Sequence, residues 1–438
     1  MRTIVSIIRS SRGILVITTA ASYALGLARD RVFAQTFGAG TELDAYQAAF
    51  LLPDFLFNFL VAGGLVAVFV PLFLETRALH PDRAERFAQS MISAASLLML
   101  MVGAALFVFA PFLARLVAPG FDDEGRHVLV PLLRILAFSP TIFAVSNALG
   151  GILVAEKRFF TYGLAPVLYN AGIILGTVAL APRMGIMGVA VGTIAGATLH
   201  MAIRLWELRR LHFPIKPALD LSLPEFKPFI KLMIPKMFGH PVELATFWGF
   251  TAIASTLGAG SIAILNFARN FQSVPISLIG VTFATVSFSA LSETLATRDY
   301  GGFRREYRRT LWHITLLSIA AAAGLAVFGR FIIGMLLGGG AFGADAVRET
   351  SALLAVFSIS IPLEAASHLQ ARAFYAAKNT AMPLWAGAVN FALSMGGAWL
   401  LVPHLGIFSL PAGYAMGSLA KVMLLWIWLP SVMTRAVK

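Results

Sequence analysis

Long apolar runs recur along the whole chain, separated by clusters of glycine, proline and charged residues. A helix needs roughly 20 apolar residues to cross a bilayer, and only helices or closed barrels satisfy the backbone in hydrocarbon. Because the runs are continuous and do not alternate with polar positions, they favour helices over a barrel. The pattern predicts twelve spans, which start near Gly13, Thr41, Phe87, Val128, Phe159, Met184, Lys227, Gly260, Leu311, Val347, Thr380 and Leu405.

Composition supports the same interpretation. Of the 438 residues, 58% are hydrophobic and only 13% are charged, and the mean hydropathy is +0.81. A water-soluble globule of this size would need more polar surface than these residues supply. The sequence therefore predicts an all-α integral membrane protein. The absence of Cys excludes disulfides, thiolate metal sites and cysteine nucleophiles.

The net charge of +13 is distributed unevenly among the predicted connections. With the N-terminus inside, the cytoplasmic connections hold most of the cations, among them Arg77, Arg83, Arg86, Lys157, Arg158, Arg204, Arg209, Arg210, Lys216, Arg304, Arg305 and Lys378. The opposite connections carry few cations, and one of them is acidic at Asp122–Glu124. This asymmetry predicts a multi-pass protein of a bacterial cytoplasmic (inner) membrane with both termini in the cytoplasm. Nucleic acid is not a predicted partner, because the basic residues lie in short loops.

An internal repeat relates the two halves of the chain at an offset of about 220 residues. Phe37–Gly40 recurs as Leu257–Gly260, and Ala181–Ile186 recurs as Val402–Ile407. Since an even number of spans separates the copies, both halves face the same way, as in parallel-repeat transporters. We therefore predict an N-terminal six-helix bundle over 1–206, a cytoplasmic linker over 207–226 and a C-terminal six-helix bundle over 227–438. The linker is either an amphipathic segment at the membrane surface or a plain flexible connection.

No motif in the sequence indicates catalysis. It contains no phosphate-binding loop of the Gly-Lys-Ser/Thr type, no histidine spacing typical of a metal site and no evident pairing of a nucleophile with a base. We predict a transporter and not an enzyme, with no cofactor and no metal. Coupling to an ion gradient or to the membrane potential is the energy source that this leaves.

Ionisable residues inside the predicted spans are the candidate functional residues. A charge at mid-bilayer costs a few kcal/mol or more, so such groups usually pair or face a hydrated cavity. The candidates for a substrate-binding cavity are Arg29, Asp44, Asp54, Lys236, Glu243, Arg269 and Glu364. Structural alternatives remain open for three of them. Arg29 either snorkels at a helix end or pairs with Asp44 to lock two helices, and Asp54, after a proline, caps a broken helix. Arg372 and Lys421 are predicted to be interfacial or paired.

Several motifs resemble the MurJ/MviN family of lipid II flippases. They are Leu25–Asp30, Phe37–Gly40, Asp44–Tyr46, Leu52–Asp54 and Phe69–Phe73, followed by Ala118–Phe121, Gly258–Gly260 and Gly340–Phe342. The resemblance covers nearly the whole chain. It implies the fold of the multidrug/oligosaccharidyl-lipid/polysaccharide exporter superfamily, with two six-helix bundles around a central cavity. Members of the family move a lipid-linked peptidoglycan precursor between leaflets by alternating access.

The chain also departs from the family pattern at polar positions. The family commonly has Arg where this chain has Tyr23 and Phe57, and an Asp-Arg pair where it has Arg269 and Asn270. Arg29 and Asp44 match the family pattern. Typical members have two further C-terminal helices beyond the twelve predicted here.

Three functions follow, in order of preference. The first is a flippase for lipid II or a similar lipid-linked oligosaccharide, with Arg29 and Arg269 attracting the pyrophosphate in one shared cavity. The second is a proton- or cation-coupled exporter of small amphipathic compounds, which would use the carboxylates. The third is a membrane scaffold for envelope synthesis that transports nothing. The predicted partners are the lipid-linked glycan and membrane lipids, and the predicted oligomeric state is a monomer.

Overall fold

The computed structural model describes residues 11–62, 65–237 and 241–435, and nearly all of them are helical. In chain order the helices are α1 (Ser11–Phe37), α2 (Thr41–Phe57), α3 (Leu65–Leu79), α4 (Pro81–Val117), α5 (Asp123–Leu136), α6 (Ser139–Ala155), α7 (Phe159–Leu175), α8 (Ala181–Met184), α9 (Ile186–Arg210), α10 (Phe226–Met237), α11 (Pro241–Ala254), α12 (Ser261–Pro275), α13 (Thr282–Ala296), α14 (Tyr300–Leu336), α15 (Ala344–Ser358), α16 (Ser360–Ala376), α17 (Ala381–Leu405) and α18 (Ser409–Arg435). The prediction of an all-α fold is confirmed.

Local sequence explains where some of these helices begin. Asp122 precedes α5 and its side chain accepts a hydrogen bond from the Gly125 amide at 2.8 Å. Asp299 precedes α14 and accepts one from the Gly302 amide at 2.7 Å. An aspartate at this position satisfies an amide that has no partner within the first turn of a helix. The short polar connections thus fix the starts of two long apolar helices.

Length and hydropathy identify the helices that can cross a bilayer. Among the described residues, eight helical stretches are long and apolar enough, or nine when the bent pair α15 and α16 is taken as one span. One of the eight, Ala381–Pro430, contains both α17 and α18. The predicted count of twelve spans therefore stays a prediction. Large apolar side chains such as Trp312, Trp385 and Trp426 are exposed, as lipid-facing residues are.

The contacts divide the chain into two compact units. Unit 1 runs to Pro241 without Gly38–Gly40, and unit 2 contains that turn together with Val242–Lys438. Compared with the predicted boundaries at 206 and 227, this division adds the segment after α9 and helix α10 to the first unit. The domain boundaries of the sequence analysis stay a prediction.

Backbone geometry repeats between the units in the same way as the sequence does. Positive φ angles recur about 220 residues apart, at Gly38 and Gly258, Lys157 and Lys378, and Gly185 and Gly406. A π-helical turn follows α2 at Asn58–Ala62, and another follows α12 at Ile276–Val281. Positive φ is rare for residues other than glycine, so its recurrence at two lysines is strong support for the repeat.

The segment between α9 and α10 packs along α4 within unit 1. Gln89 donates a hydrogen bond to the Pro214 carbonyl at 2.6 Å, and the Asp220 amide donates one to Ser90 at 3.1 Å. Near its end, Glu225 is buried and lies 2.8 Å from Nε of Arg83. These contacts along its length distinguish the segment from a plain flexible connection, and residues 213–220 have no regular secondary structure.

Aromatic side chains anchor α10 in unit 1. Phe87 on α4 packs against Phe69 on α3 with ring centroids 5.6 Å apart, and against Phe226 at 5.4 Å. All three rings are buried. Edge-to-face and tilted contacts of this kind add to the energy gained from burial. In unit 2 a separate core forms around Phe303, Leu369 and Phe374.

Candidate functional site

Arg29 is the centre of a polar cluster in unit 1. Its Nε and Nη2 atoms donate to Oδ1 of Asp30 at 3.1 and 2.8 Å, and Nη1 donates to Oδ1 of Asn170 at 3.2 Å. Asn170 is held in turn by the Pro166 carbonyl at 3.2 Å. The Arg29 side chain is 27% exposed, so its charge is positioned by its neighbours and remains accessible. Its ion pair is with the adjacent Asp30, and the pairing with Asp44 considered from the sequence stays a prediction.

The two other acidic candidates of unit 1 lie in different environments. Asp44 is buried in α2 at 1% exposure, beside Tyr46, whose hydroxyl lies 2.7 Å from that of Thr193. Asp54 is exposed and its Oδ1 accepts from Asn58 at 2.9 Å, where α2 passes into the π-helical turn. It lies inside the helical run and not at a helix end, so it is no N-cap. The site role of both residues stays a prediction.

Arg269 on α12 lies over an aromatic ring in unit 2. Its Cζ atom is 3.4 Å from the centroid of Phe247, which packs against Tyr414 at 5.4 Å between ring centroids. Both rings are buried. A guanidinium over an aromatic face is held electrostatically while it remains charged. The second cation predicted from the sequence is thus half-buried and oriented by apolar neighbours.

Glu364 on α16 forms a buried ion pair with Lys421 on α18. Its Oε2 accepts from Nζ of Lys421 at 3.0 Å, and its Oε1 accepts from the Ser418 hydroxyl at 2.6 Å. Ser367 donates to the Glu364 carbonyl at 2.9 Å. Lys421 was predicted to be interfacial or paired, and it is paired: its ion pair with Glu364 joins two helices.

Glu243 and Lys236 are the two remaining candidates. Glu243 lies on α11 and is exposed, and its role in a site stays a prediction. The side chain of Lys236 lies outside the described residues.

A buried tyrosine lies near the unit 2 candidates. Tyr414 is 4% exposed and is close enough to Glu243, Arg269 and Glu364 for their charges to act on a charge at its hydroxyl. In unit 1, Tyr169 is similarly close to Arg29 and Asp54.

The sequence analysis missed a buried cluster in unit 1 that contains Arg204. Arg204 was counted as a cation of a cytoplasmic connection, but it is 3% exposed, inside unit 1. Its Nη1 donates to the Ser146 carbonyl at 2.8 Å and to Asn147 at 3.1 Å. His200, one helical turn earlier, lies with Nδ1 2.7 Å from the Ser146 hydroxyl. The spacing of four residues between His200 and Arg204 places both on one helix face, which was the available signal.

Metal and cofactor sites were also searched among the described residues. In that part of the chain, no group of three or more His, Asp or Glu side chains is arranged to hold a metal ion. The chemistry that these clusters offer is recognition of charge: two accessible cations, one buried cation and one buried ion pair.

Comparison with known proteins identifies relatives for this arrangement. The family model described as "Lipid II flippase MurJ" matches residues 33–434. A protein of Thermotoga maritima named "Probable lipid II flippase MurJ" is 26% identical over 377 residues, covering 84% of this chain and 75% of the relative. The "Lipid II flippase MurJ" of Burkholderia cenocepacia is 26% identical over 430 residues, covering 94% of this chain and 81% of the relative.

Solved structures share the fold. A lipid II flippase MurJ in an inward closed conformation matches with a TM-score of 0.82 and 24% identity, covering 97% of this chain and 90% of that one. An inward-facing multidrug resistance MATE family transporter of the MOP superfamily matches with a TM-score of 0.79 and 16% identity, covering 95% of both chains. The fold is therefore that of a multi-pass membrane transporter.

Proposed function

The chain belongs to the lipid II flippase MurJ family, and from that premise we propose that it moves a lipid II-like, lipid-linked oligosaccharide across the bacterial cytoplasmic membrane by alternating access. As a member of a flippase family it is a transporter and not an enzyme. The family match favours this function over the cation-coupled exporter and the scaffold considered from the sequence.

Arg29 carries the proposal at the level of residues. A diphosphate is recognised best by a guanidinium, whose planar donors match its oxygens and which stays charged at any physiological pH. Asp30 and Asn170 fix the direction of the Arg29 side chain, so less conformational entropy is lost when a ligand binds. Asp30 neutralises part of the charge, which keeps the attraction reversible, and transport requires release as well as binding.

Arg269 supplies the second cation. Its contact with the Phe247 ring holds the guanidinium without neutralising its charge. A substrate with two phosphate groups carries enough negative charge to use both arginines during passage. We propose that the head group is recognised by Arg29 and by Arg269 at some stage of transport.

The decisive experiment is complementation of a bacterium depleted of its own flippase, scored by the appearance of lipid II in the outer leaflet. The wild-type chain is expected to restore it, and Arg29→Gln is expected to reduce it by at least about tenfold, the effect of losing one charged hydrogen-bonding group. Arg31→Gln is the matched control, because it removes the same charge from an exposed position of the same helix. A correctly inserted wild-type chain that gives no rescue would contradict the proposal.

We further propose that an ion gradient or the membrane potential supplies the energy, through the Glu364–Lys421 pair. A buried ion pair between two helices is a two-state element, since protonation of the carboxylate or arrival of another cation removes the attraction. Flipping by reconstituted protein would be measured while a protonophore, a sodium ionophore or valinomycin with potassium removes each gradient in turn. Flipping that stays as fast under each of the three conditions as with all gradients intact would rule out this energy source.

The absence of Cys gives a direct test of the proposed orientation, with both termini in the cytoplasm. Single cysteines at two exposed positions, Ser222→Cys and Glu124→Cys, can be labelled from one side with an impermeant maleimide. Glu124→Cys should react in intact cells and Ser222→Cys only after permeabilisation. The opposite result would invert the topology. The proposed monomer is checked by light scattering of the purified protein.

A further inference from the structure

A polar pocket lies beside Arg204 in unit 1, and its lining includes Pro166, whose carbonyl accepts from Asn170 of the Arg29 cluster. Its volume is ≈ 370 Å³, which lies within the roughly 300–1,000 Å³ of small-ligand cavities. The lining comes from α1, α6, α7 and α9 and consists of Thr19, Ser22, Tyr23, Asn147, Tyr162, Gly163, Pro166, His200 and Arg204. Hydroxyl, amide, imidazole and guanidinium groups therefore surround it. Tyr23 is 61% exposed, so the pocket reaches the surface of the unit.

Arg204 brings a positive charge to this pocket without a negative partner. Among the ion pairs of the described residues, none includes Arg204. The nearby Glu207 pairs instead with Arg158 at 3.6 Å. All acceptors that Arg204 contacts are neutral oxygens, from Ser146, Asn147 and Tyr162. A cation that is 3% exposed normally has a carboxylate partner or an anionic ligand.

The guanidinium also retains hydrogen-bond donors. Nη1 is engaged by Ser146 and Asn147, whereas Nη2 has only a long contact of 3.5 Å with the Tyr162 carbonyl. Nε has no hydrogen-bond partner, but it is enclosed by protein atoms. Nη2 is therefore the donor that remains for a ligand. A weakly satisfied donor on a buried charged group is costly, so an anion that accepts from Nη2 gains that energy.

Neighbouring residues hold Arg204 in this position. The side chain lies against the Tyr162 ring, with Cζ 4.9 Å from the centroid. Gly150 leaves the necessary space, because a Cβ atom there would lie 2.7 Å from Nη1 of Arg204. The charge is therefore built into the packing of α6, α7 and α9 and is not a surface side chain that happens to fold inward.

We propose that this pocket binds a phosphate-type oxyanion, with Arg204 as its charge partner. A tetrahedral oxyanion offers several acceptors at once, which suits a pocket lined by the hydroxyl residues Thr19 and Ser22 and by the guanidinium of Arg204. The pocket is larger than a bare phosphate group, so a phosphate ester also fits. The inference goes beyond the proposed function, because binding at this pocket requires no transport.

The test measures binding of two probes to the full chain. The first probe is inorganic phosphate, which represents the free ion. It is titrated against purified protein in a neutral detergent, and binding is measured as a shift of the thermal unfolding midpoint. Chloride at matched ionic strength is the reference. Phosphatidic acid is the head-group source, presented at one tenth of the lipid in phosphatidylcholine nanodiscs and counted by native mass spectrometry, with diacylglycerol as the uncharged reference.

Two variants and one control separate the pocket from general charge effects. Arg204→Gln removes the charge and keeps a polar side chain. Ser22→Phe fills the pocket from α1 and leaves Arg204 in place, so the test survives if the first variant folds poorly. Arg209→Gln removes the same charge from an exposed position of the same helix. Both pocket variants should weaken binding by at least about tenfold and the control by less than about twofold.

Each outcome decides the proposal. Loss of phosphate binding alone in both pocket variants assigns the pocket to the free ion, and loss of phosphatidic acid binding assigns it to a lipid head group. Wild-type protein that binds neither probe, or pocket variants that bind both as tightly as wild type, would overturn it. So would an equal loss in Arg209→Gln, which would show that only the net charge matters.

Discussion

Helix α9 of unit 1 and helix α18 of unit 2 each carry a cation within the helix packing, Arg204 and Lys421, but the two cations have different partners. His200 and Lys421 occupy equivalent positions of the repeat on α9 and α18, and Ser146 and Ser367 occupy equivalent positions on α6 and α16. In unit 2 the cation Lys421 pairs with Glu364 at 3.0 Å. In unit 1 the cation is Arg204, one turn further along the helix, and its partners are neutral oxygens.

The difference shows how a repeated framework can take on two roles. In the Glu364–Lys421 pair each charge neutralises the other. The pair therefore holds its two helices together until a proton or another ion removes the attraction. Arg204 has only neutral partners, so its positive charge is not cancelled and can attract an anionic ligand. The equivalent pairs of helices thus hold a neutralised ion pair in unit 2 and a cation with neutral partners in unit 1.

Breaking the unit 2 pair should have the largest effect. Glu364→Gln leaves Lys421 buried beside a neutral amide and should lower the free energy of unfolding by about 3–5 kcal/mol. Thermal or denaturant unfolding in one detergent would measure it. The double variant Glu364→Gln with Lys421→Met is the control, and it should recover most of the loss because no unpaired charge remains. A double variant as unstable as the single one would show that the pair is not what stabilises these helices.

Removing the unit 1 cation should cost less. Arg204→Gln leaves only neutral acceptors behind, so we expect a loss of about 2 kcal/mol from hydrogen bonds and packing in the absence of phosphate. The same unfolding measurement applies, with Arg209→Gln expected to change it by less than about 0.5 kcal/mol, as is usual for surface substitutions. A loss equal to that of Glu364→Gln would erase the contrast between the units.

The smallest effects concern the space around the two cations. Gly150→Ala would place a Cβ atom 2.7 Å from Nη1 of Arg204, and the overpacking should cost about 1 kcal/mol. Ala371 is the equivalent residue in unit 2, and Ala371→Gly should cost about 0.5–1 kcal/mol through helix propensity alone. Phosphate binding distinguishes the two changes, since only Gly150→Ala displaces the guanidinium. Equal phosphate binding in Gly150→Ala and wild type would show that this glycine does not position Arg204.

The sequence by itself determined the parts of this protein that depend on local pattern and on composition. Continuous apolar runs leave a helix as the way to satisfy the backbone in lipid, so the all-α membrane fold followed directly. The repeat could be recognised in the sequence because equivalent turns require the same backbone angles and therefore the same residue types. Gly185 and Gly406 are an example, with φ of 56° and 52°. Arg29 was identified because charge inside an apolar run is expensive and seldom accidental.

The tertiary structure decided which charges meet. The Arg29–Asp30 contact lies within α1, whereas Asn170, the other partner that fixes Arg29, comes from α7, 141 residues along the chain. Helix α9 carries Arg204 into the interior of unit 1. Hydropathy along a chain registers how apolar a segment is, whereas burial and pairing depend on neighbours tens or hundreds of residues away. For that reason the Glu364–Lys421 pair and the Arg204 pocket appear only once the helices are assembled.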